Sequence, residues 1–350
     1  MALTSLRQIL DHAAEHDYGV PAFNITNLET LLGVMCAAER TDSPAIVQVS
    51  QSARKYADDV FLRHMFLAAA ERFPSVPLCV HQDHGSSPSV CQSAIENGCS
   101  SVMMDGSLEA NGKTPASYDY NVRVTAETVV LAHARGVSVE GEIGVLGSLE
   151  TGAGEQEDGH GFEGSLAREE LLTDPKQAAD FVSATGVDAL AVAIGTSHGA
   201  YKFSQKPTGE TLSIDTIAAI HALLPHTHLV MHGASTVSQD LQELINTSGG
   251  EMPPTFGVPL DEVVRSIKMG VRKINIDTDL RMAMSGSMRE YLQANPASFD
   301  LRAIFKPGTT KIEELCVERF ERFGTAGNAK KIKTIPLDEM ARRYSNGFGS

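Results

Sequence analysis

Eight short apolar segments alternate with longer amphipathic segments from the start of the chain to about residue 290. The short segments are rich in β-branched residues, and the longer ones have the apolar spacing of helices, a pattern typical of βα units around a parallel sheet. The predicted strands span 20–24, 45–49, 77–82, 100–105, 137–142, 188–194, 228–232 and 271–276. Because eight βα units close into a barrel, the sequence predicts an α/β fold of the (β/α)8 TIM-barrel class.

The 350 residues contain no repeat of fixed period and no Pro/Ser-rich linker. We therefore predict one domain over 1–350, with the barrel over about 1–294 and a helical C-terminal extension over about 295–350. The glycine-dense segment 144–166 follows the fifth predicted strand. Loops of this length are typical of functional lids, and a tolerated surface insertion is the alternative interpretation.

Composition limits the partners and the compartment. With 29 basic and 44 acidic residues the formal charge is -15, which disfavours nucleic acid and anionic membranes as partners, so any phosphate site must be local. The five cysteines are scattered and form no CxxC pair, as expected of reduced thiols. No segment has the apolar length of a signal peptide core or a membrane span, and we expect a cytoplasmic protein.

Polar residues follow or close nearly every predicted strand, at the end where barrels of this class carry their active sites. A single such residue is more often a helix cap or a turn residue, and that interpretation stays open for Asn24 and Ser50. Their concentration nevertheless predicts a site at this end of the barrel. The residues are Asn24, Ser50, Asp83, His84, Asp105, Glu142, His198, His232, Asn275 and Asp277.

Three of the twelve histidines lie at the ends of different predicted strands: His84, His198 and His232. Barrel closure would direct their imidazoles at one axial pocket, and three protein ligands with an open fourth position are typical of catalytic zinc. Asp105 and Glu142 could hold a second cation or orient the imidazoles.

Two stretches with small or hydroxyl-bearing residues lie at the ends of the last two predicted strands, MHGAST at 231–236 and NIDTD at 275–279. They supply backbone N–H groups and hydroxyls where barrels commonly bind a phosphate. The alternative for Gly233 and Ser235 is an ordinary tight turn with a helix cap.

Six motifs occur in order on successive strand ends. They are HQDHG at 81–85, MMDGS at 103–107, VEGEIG at 139–144, GTSHGAYKF at 195–203, MHGAS at 231–235 and NIDTD at 275–279. Together they resemble class II fructose-1,6-bisphosphate aldolase, from residue 21 to the end of the chain. The tail FGTAGNAKKIK at 323–333 resembles the longer subtype often linked with the Calvin cycle.

The resemblance implies a metal centre and its catalytic groups. His84, His198 and His232 would bind the catalytic Zn²⁺, Asp105 and Glu142 would form a second divalent-metal position, and the family pattern leaves room for a monovalent cation. Asp83 matches the acid/base residue at the aldehyde carbon, and Asn275 belongs to the catalytic set. Glu157, in the long loop, matches a carboxylate proposed to move the substrate proton.

The implied reaction is the reversible aldol cleavage of fructose 1,6-bisphosphate to dihydroxyacetone phosphate and glyceraldehyde 3-phosphate, used in glycolysis, gluconeogenesis or the Calvin cycle. In it zinc stabilises the enediolate and Asp83 transfers the hydroxyl proton. The enzyme would be a homodimer or a higher homo-oligomer. The implied substrate contacts are Ser50, Gly199, Gly233, Ala234, Ser235, Asn275, Ile276, Asp277, Thr278 and, for the far phosphate across a subunit boundary, Arg302. Pairing with Asp300 at the surface is the alternative for Arg302.

Other functions compete with this one. A tagatose-1,6-bisphosphate aldolase would use the same motifs on a substrate that differs at one stereocentre. A Schiff-base aldolase would use Lys273, which shares the inward parity of Asn275. A non-catalytic sugar-phosphate binding protein would keep the phosphate loops without acid/base groups, and the presence of Asp83 argues against it.

Overall fold

Eight parallel strands close into a barrel in which each strand lies between the barrel strands that precede and follow it in the chain, and the last lies beside the first. The computed structural model describes residues 3–144, 153–154, 164–165, 171–197, 199–200, 203, 206–207 and 211–347 of the chain. The barrel strands are β1 (Val20–Asn24), β2 (Ala45–Val49), β3 (Leu78–Gly85), β4 (Ser101–Met104), β5 (Ser138–Ile143), β8 (Ala189–Val192), β9 (His228–Met231) and β10 (Val271–Ile276). A short antiparallel pair, β6 (Ala153–Gly154) and β7 (Gly164–Ser165), lies in the long loop after β5.

Helices separate the barrel strands and then continue beyond them, which confirms the predicted fold class and its C-terminal helices. Many begin after a residue that caps the helix, such as Asn27, which forms a capping box with Thr30, and Asp174, which precedes a proline. The helices are α1 (Leu6–Glu15), α2 (Leu28–Thr41), α3 (Gln51–Ala57), α4 (Asp59–Arg72), α5 (Pro88–Glu96), α6 (Tyr118–His133), α7 (Pro175–Thr185), α8 (Ile214–Leu223), α9 (Gln239–Thr247), α10 (Leu260–Lys268), α11 (Thr278–Ala294), α12 (Leu301–Arg322) and α13 (Leu337–Asn346).

Two apolar layers stabilise the barrel. The outward faces of the strands pack against the surrounding helices, and the strands are therefore buried on both sides. The N-terminal end of the barrel is closed by α1, whose Leu6, Ile9 and Leu10 pack against inward-facing residues such as Ile46 and Cys79. This apolar plug leaves the carboxyl end of the barrel for polar side chains.

The strand alternation assigns inward positions to every second residue. On β3 these positions are Cys79, His81 and Asp83, and on β10 they include Lys273 and Asn275, while Ile274 and Ile276 join the outer apolar layer. The interior therefore changes from apolar to polar from the N-terminal to the carboxyl end. The helix α12 packs on α2 and α11 and so joins the C-terminal extension to the barrel.

Candidate active site

The strand β3 ends in a bulge that brings two consecutive residues to one site. Its register with β4 shifts between Gln82 and Gly85, so that β3 contains one residue more than its partner. His84 lies in this bulge with φ of 46°, a left-handed conformation that is uncommon outside glycine. The predicted strand 77–82 was therefore too short. Because of the bulge, Asp83 and His84 both reach the interior, where plain alternation would turn one of them outward.

Asp83 is buried and held by three side-chain amides. Asn24 Nδ2 donates to its Oδ2 over 3.0 Å, Gln48 Nε2 donates to the same oxygen over 3.2 Å, and Asn275 Nδ2 donates to Oδ1 over 3.3 Å. Burial raises the pKa of Asp83, but the neighbouring His84, His232 and Lys273 outweigh it, and the pKa lies below its usual value. The carboxylate is thus fixed in orientation beside the histidines, with its Oδ1 3.9 Å from His84 Nε2.

Buried carboxylates and imidazoles converge beside Asp83 in two overlapping groups of potential metal ligands. One contains Asp83, His84 and His232, and the other contains His84, Asp105 and Glu142; in each group the ligand atoms lie within 4.8 Å of one another. His84 Nδ1 lies 3.0 Å from Asp105 Oδ2 and 3.8 Å from Glu142 Oε2. His84 belongs to both groups and is their common element.

The donor set fits a divalent cation. Among the described residues, Glu142 Oε2 is buried without a hydrogen-bond partner, although a buried carboxylate oxygen normally has one. Burial and the nearby charge of Asp105 raise the pKa of Glu142 well above its usual value. Burial lowers the pKa of His84, but Asp83, Asp105 and Glu142 raise it to about 10. Imidazole and carboxylate ligands together are typical of zinc and related ions.

A buried ion pair between β5 and β10 lies next to this cluster, on the side of the N-terminal end of the barrel. Lys273 Nζ and Glu140 Oε2 form an ion pair of 2.9 Å, and both side chains are fully buried. The other oxygen of Glu140 lies 3.0 Å from His232 Nε2. Glu140 thus orients His232, as carboxylates beside metal-bound histidines commonly do.

The loop after β9 packs closely against the loop after β8. Gly233 has φ of 65°, and a Cβ there would lie 2.4 Å from the carbonyl oxygen of Ser197. Ser235 is buried, and its Oγ accepts a hydrogen bond from the backbone N–H of Asp277 over 3.3 Å. This bond joins the 233–235 loop to the NIDTD segment, so the two predicted phosphate-binding stretches lie side by side.

Three of the residues predicted to contact the substrate have structural roles in the fold. Ser50 caps α3 by accepting from the N–H of Ala53 over 3.1 Å. Asp277 precedes α11 and forms a two-bond ion pair with Arg281. The side chain of Ile276 belongs to the outer apolar layer, so only its backbone can contact a substrate.

Of the remaining predicted site residues, some are buried near the loop after β9, one is at the surface, and two lie outside the described residues. Ala234 and Thr278 are buried next to Ser235 and Asp277, and Gly199 has φ of 77°. Arg302 lies at the start of α12 and pairs with Asp300, with Nη2 2.8 Å from Oδ2, which is the arrangement of the surface alternative. His198 and Glu157 lie outside the described residues.

Sequence reasoning missed Gln48, Glu140 and His81 as parts of this site. Each lies within a strand rather than at its end, and each is two residues before a predicted site residue. The period of two along a strand is the signal that would have found them, because Glu140 shares the face of Glu142 and His81 that of Asp83.

A barrel whose carboxyl end gathers potential metal ligands beside an oriented carboxylate is typical of a metal-dependent enzyme. The family profile described as Fructose-bisphosphate aldolase class-II matches residues 4–328. The chain belongs to the class II fructose-bisphosphate aldolase family, whose members are metal-dependent lyases.

Relatives extend over the whole chain. A fructose-bisphosphate aldolase of Stutzerimonas stutzeri is 62% identical over 347 residues and covers 99% of this chain and 98% of its own length. The Pseudomonas aeruginosa fructose-bisphosphate aldolase is 61% identical over 347 residues and also covers 99% of this chain and 98% of its own length. One from a Nostoc species is 60% identical, covering 99% of this chain and 97% of its own.

Among solved structures, the YdjI aldolase from Escherichia coli is similar with a TM-score of 0.69 and 26% identity, covering 93% of this chain and 99% of that one. These comparisons confirm the predicted family and give no support to the tagatose-bisphosphate alternative. No helix among the described residues combines the length and the apolar character that a membrane crossing needs.

Proposed function

We propose that Asp83, His84 and their neighbours carry out the reversible cleavage of fructose 1,6-bisphosphate to dihydroxyacetone phosphate and glyceraldehyde 3-phosphate. The observation that supports this most is the position of Asp83. It is a buried carboxylate held by three amides, with its Oδ1 3.9 Å from a histidine of the cation-binding cluster. An acid/base group fixed beside a Lewis-acid site matches the requirements of a metal-dependent aldol reaction.

His84 and His232, together with His198, would hold the catalytic metal, and Asp105 and Glu142 would hold a second divalent ion. We infer zinc for the catalytic position, because two or three imidazoles with an open position are typical of catalytic zinc. When bound, the ion supplies Lewis-acid chemistry at the oxygens of the three-carbon fragment. Three carboxylates, those of Asp83, Asp105 and Glu142, surround His84, and Glu142 Oε2 has no hydrogen-bond partner among the described residues; both observations support a cation at this place.

Asp83 would move the proton of the reacting hydroxyl. In cleavage the bond between carbons 3 and 4 breaks, its electron pair stays with the three-carbon phosphate fragment, and the proton of the hydroxyl on carbon 4 passes to Asp83 as that carbon becomes the aldehyde. In condensation Asp83 returns the proton. The amides of Asn24, Gln48 and Asn275 keep the carboxylate from rotating away from this path. Such positioned proton transfer typically contributes about 10²–10⁴-fold.

A coupled cleavage assay before and after chelation tests the proposal. We expect chelation to abolish activity, zinc or cobalt to restore it, and circular dichroism to stay unchanged, since apolar packing rather than the ion stabilises the barrel. Full activity in an exhaustively stripped sample would contradict metal dependence. The same assay on tagatose 1,6-bisphosphate should give a much lower kcat/KM than on fructose 1,6-bisphosphate.

The ion pair of Lys273 argues against a Schiff-base mechanism. Its ammonium lies 2.9 Å from Glu140 in a fully buried layer below the cation-binding cluster, whereas a Schiff-base lysine must be neutral and in reach of the substrate carbonyl. Borohydride treatment with substrate should therefore leave activity intact. Covalent trapping at Lys273 would reverse this assignment.

Glu157 is our candidate for the proton transfer at the three-carbon fragment, because its loop follows β5, which carries Glu142 at the cation-binding cluster. A lid carboxylate acts mainly after the substrate has bound. Glu157→Ala should therefore lower kcat much more than it raises KM. A raised KM with unchanged kcat would mean that the loop only covers the site.

We propose a homodimer in which Arg302 binds the far phosphate in the partner's site. Its side chain is 92% exposed although it pairs with Asp300, and Phe299, three residues earlier, is 91% exposed, as expected of a segment that a second copy covers. An Arg fork suits a phosphate. Arg302→Ala should impair the cleavage of fructose 1,6-bisphosphate far more than that of fructose 1-phosphate, whereas the exposed Arg40→Ala should affect neither.

Mixing two inactive variants tests whether Arg302 acts across subunits. Chains with Asp83→Asn and chains with Arg302→Ala, once exchanged into mixed dimers, should regain one complete site per dimer. Activity that stays at the level of the separate variants would mean that Arg302 acts within its own chain or not at all.

We also infer that the enzyme works in the cytoplasm. All five cysteines are free thiols, and four of them are buried, which suits a reducing compartment. Fractionation of the source cells with an activity assay would test this inference, and activity confined to a secreted fraction would contradict it.

A further inference from the structure

A buried arginine of the C-terminal extension contacts the loop after β9. Arg319, on α12, is 4% exposed, and its Nη2 donates to Thr236 Oγ1 over 2.9 Å and lies 3.3 Å from Asp279 Oδ2. The Thr236 hydroxyl in turn donates to Asp279 over 3.1 Å. The three side chains thus join α12, α11 and the loop, which are far apart in the sequence.

The loop needs such restraint, because its backbone is strained. Val237 has φ of 46°, a conformation that β-branched residues rarely adopt. Asp279, fully buried in the first turn of α11, accepts the backbone N–H of Val237 over 2.8 Å and that of Thr236 over 2.9 Å. On the other side, a Cβ at Gly257 would lie 2.4 Å from the carbonyl oxygen of Ser235, so the loop is also packed closely there.

We propose that Asp279 and Arg319 are positioning residues that hold the backbone of 233–236 in the conformation that binds the phosphate of the three-carbon half of the substrate. The inference rests on the proposed phosphate-binding role of Gly233, Ala234 and Ser235. Asp279 fixes the N–H groups of the two following residues, and Arg319 balances its charge and holds Thr236. Neither side chain is assigned to touch the substrate.

A buried ion pair such as Arg319–Asp279 is by itself weak evidence of a stabilising role. Buried ion pairs often add little net stability compared with apolar residues of the same volume, because both charges lose their hydration. Arg322, one turn further along α12, pairs with Asp261 at the surface and meets the ordinary pattern of an exposed ion pair. Only Arg319 reaches the loop, and this makes Arg322 a matched control on the same helix.

Steady-state kinetics in the condensation direction tests the proposal. Arg319→Met should raise KM for dihydroxyacetone phosphate about tenfold, equal to about 1.4 kcal/mol. KM for glyceraldehyde 3-phosphate and kcat should change less than about twofold, and the inhibition constant of inorganic phosphate should rise with KM for dihydroxyacetone phosphate. Arg319→Lys should recover part of the loss, and Arg322→Met should behave as wild type. An unchanged KM for dihydroxyacetone phosphate, or an equal loss for both substrates, would overturn the proposal.

Two further variants keep the outcome decisive. If Arg319→Met does not fold, Thr236→Val removes the hydroxyl that links Arg319 to Asp279 with little change in volume, and it should raise the same KM; no rise would overturn the proposal. Ser235→Ala tests the loop itself. A rise for Ser235→Ala without one for Arg319→Met refutes only the positioning role, whereas no rise for any of these variants refutes phosphate binding by the loop as well.

Discussion

Buried carboxylates occur at both ends of the barrel, and their surroundings differ. At the N-terminal end, Asp188 precedes β8 and accepts four hydrogen bonds, from Arg7, His133, Tyr344 and the N–H of Val139, with donor–acceptor distances of 2.8–3.1 Å. At the carboxyl end, Asp105 and Glu142 approach one histidine, and Glu142 Oε2 has no hydrogen-bond partner among the described residues.

The hydrogen bonds of Asp188 are those of a carboxylate that stabilises the fold, whereas the surroundings of Glu142 are those expected of a metal ligand. Burial raises the pKa of Asp188, but its bonds to His133 and Arg7 lower it below the usual value, so folding stabilises the ionised form. The pKa of Glu142 is raised instead, because burial and Asp105 both disfavour its charge. Two buried carboxylates that approach the same histidine at the active end of a barrel are an arrangement that suits a bound cation.

The largest expected effect is on catalysis at the carboxyl end. Asp83→Asn should lower kcat by about 10²–10⁴-fold, because the amide keeps the shape of the side chain but does not take the hydroxyl proton. Metal content and melting temperature should stay near those of wild type. A variant that keeps more than about a tenth of wild-type kcat would remove Asp83 from the acid/base role.

The N-terminal end should respond in stability instead. Asp188→Ala should lower the free energy of unfolding by about 3 kcal/mol, since it leaves three side-chain donors and one backbone N–H without their common acceptor. Urea denaturation followed by circular dichroism measures this loss, and kcat of the folded variant should be unchanged. A large fall in kcat with unchanged stability would break the contrast between the two ends.

The smallest expected effect is the loss of unfolding free energy at acid pH. The folded-state pKa of Asp188 is lowered from its ordinary value of 3.8, so its contribution to stability is complete above about that pH and is lost as pH falls toward the lower folded-state pKa. The difference in unfolding free energy between wild type and Asp188→Ala should therefore be constant at neutral pH and should shrink below pH 4, by about 1.4 kcal/mol per unit of pKa shift. A difference that stays constant down to pH 2 would contradict this assignment.

Local pattern was sufficient to predict the barrel. Three strands, β1, β2 and β10, have the predicted bounds, because an apolar run buried on both faces has a distinctive composition. The ends of the other five strands differ from the prediction by at most two residues, except the C-terminal end of β3, where the bulge extends the strand to Gly85. The bulge depends on the left-handed backbone at His84, a conformation that histidine adopts more often than most residues but still too rarely for the sequence to predict it here.

The sequence predicts which polar residues gather at the carboxyl end of the barrel, because their positions follow from the strand ends. It does not predict the contacts between residues that are distant in the chain. Glu140 and Lys273 could be inferred by the period of two, but their ion pair requires the register between strands. Arg319 and Thr236 are 83 residues apart, and no spacing rule connects them. Their contact follows from how α12 packs across the barrel, which is a property of the whole fold.

Metal binding by the stripped protein tests the central claim most directly, because His84 is the residue shared by both ligand groups. Calorimetric titration with zinc should give tight binding to wild type and to the Asp188→Asn control. His84→Asn should weaken binding by at least about 100-fold, with an unchanged circular dichroism spectrum. Equal zinc affinity in wild type and His84→Asn would contradict a metal centre at the carboxyl end of the barrel.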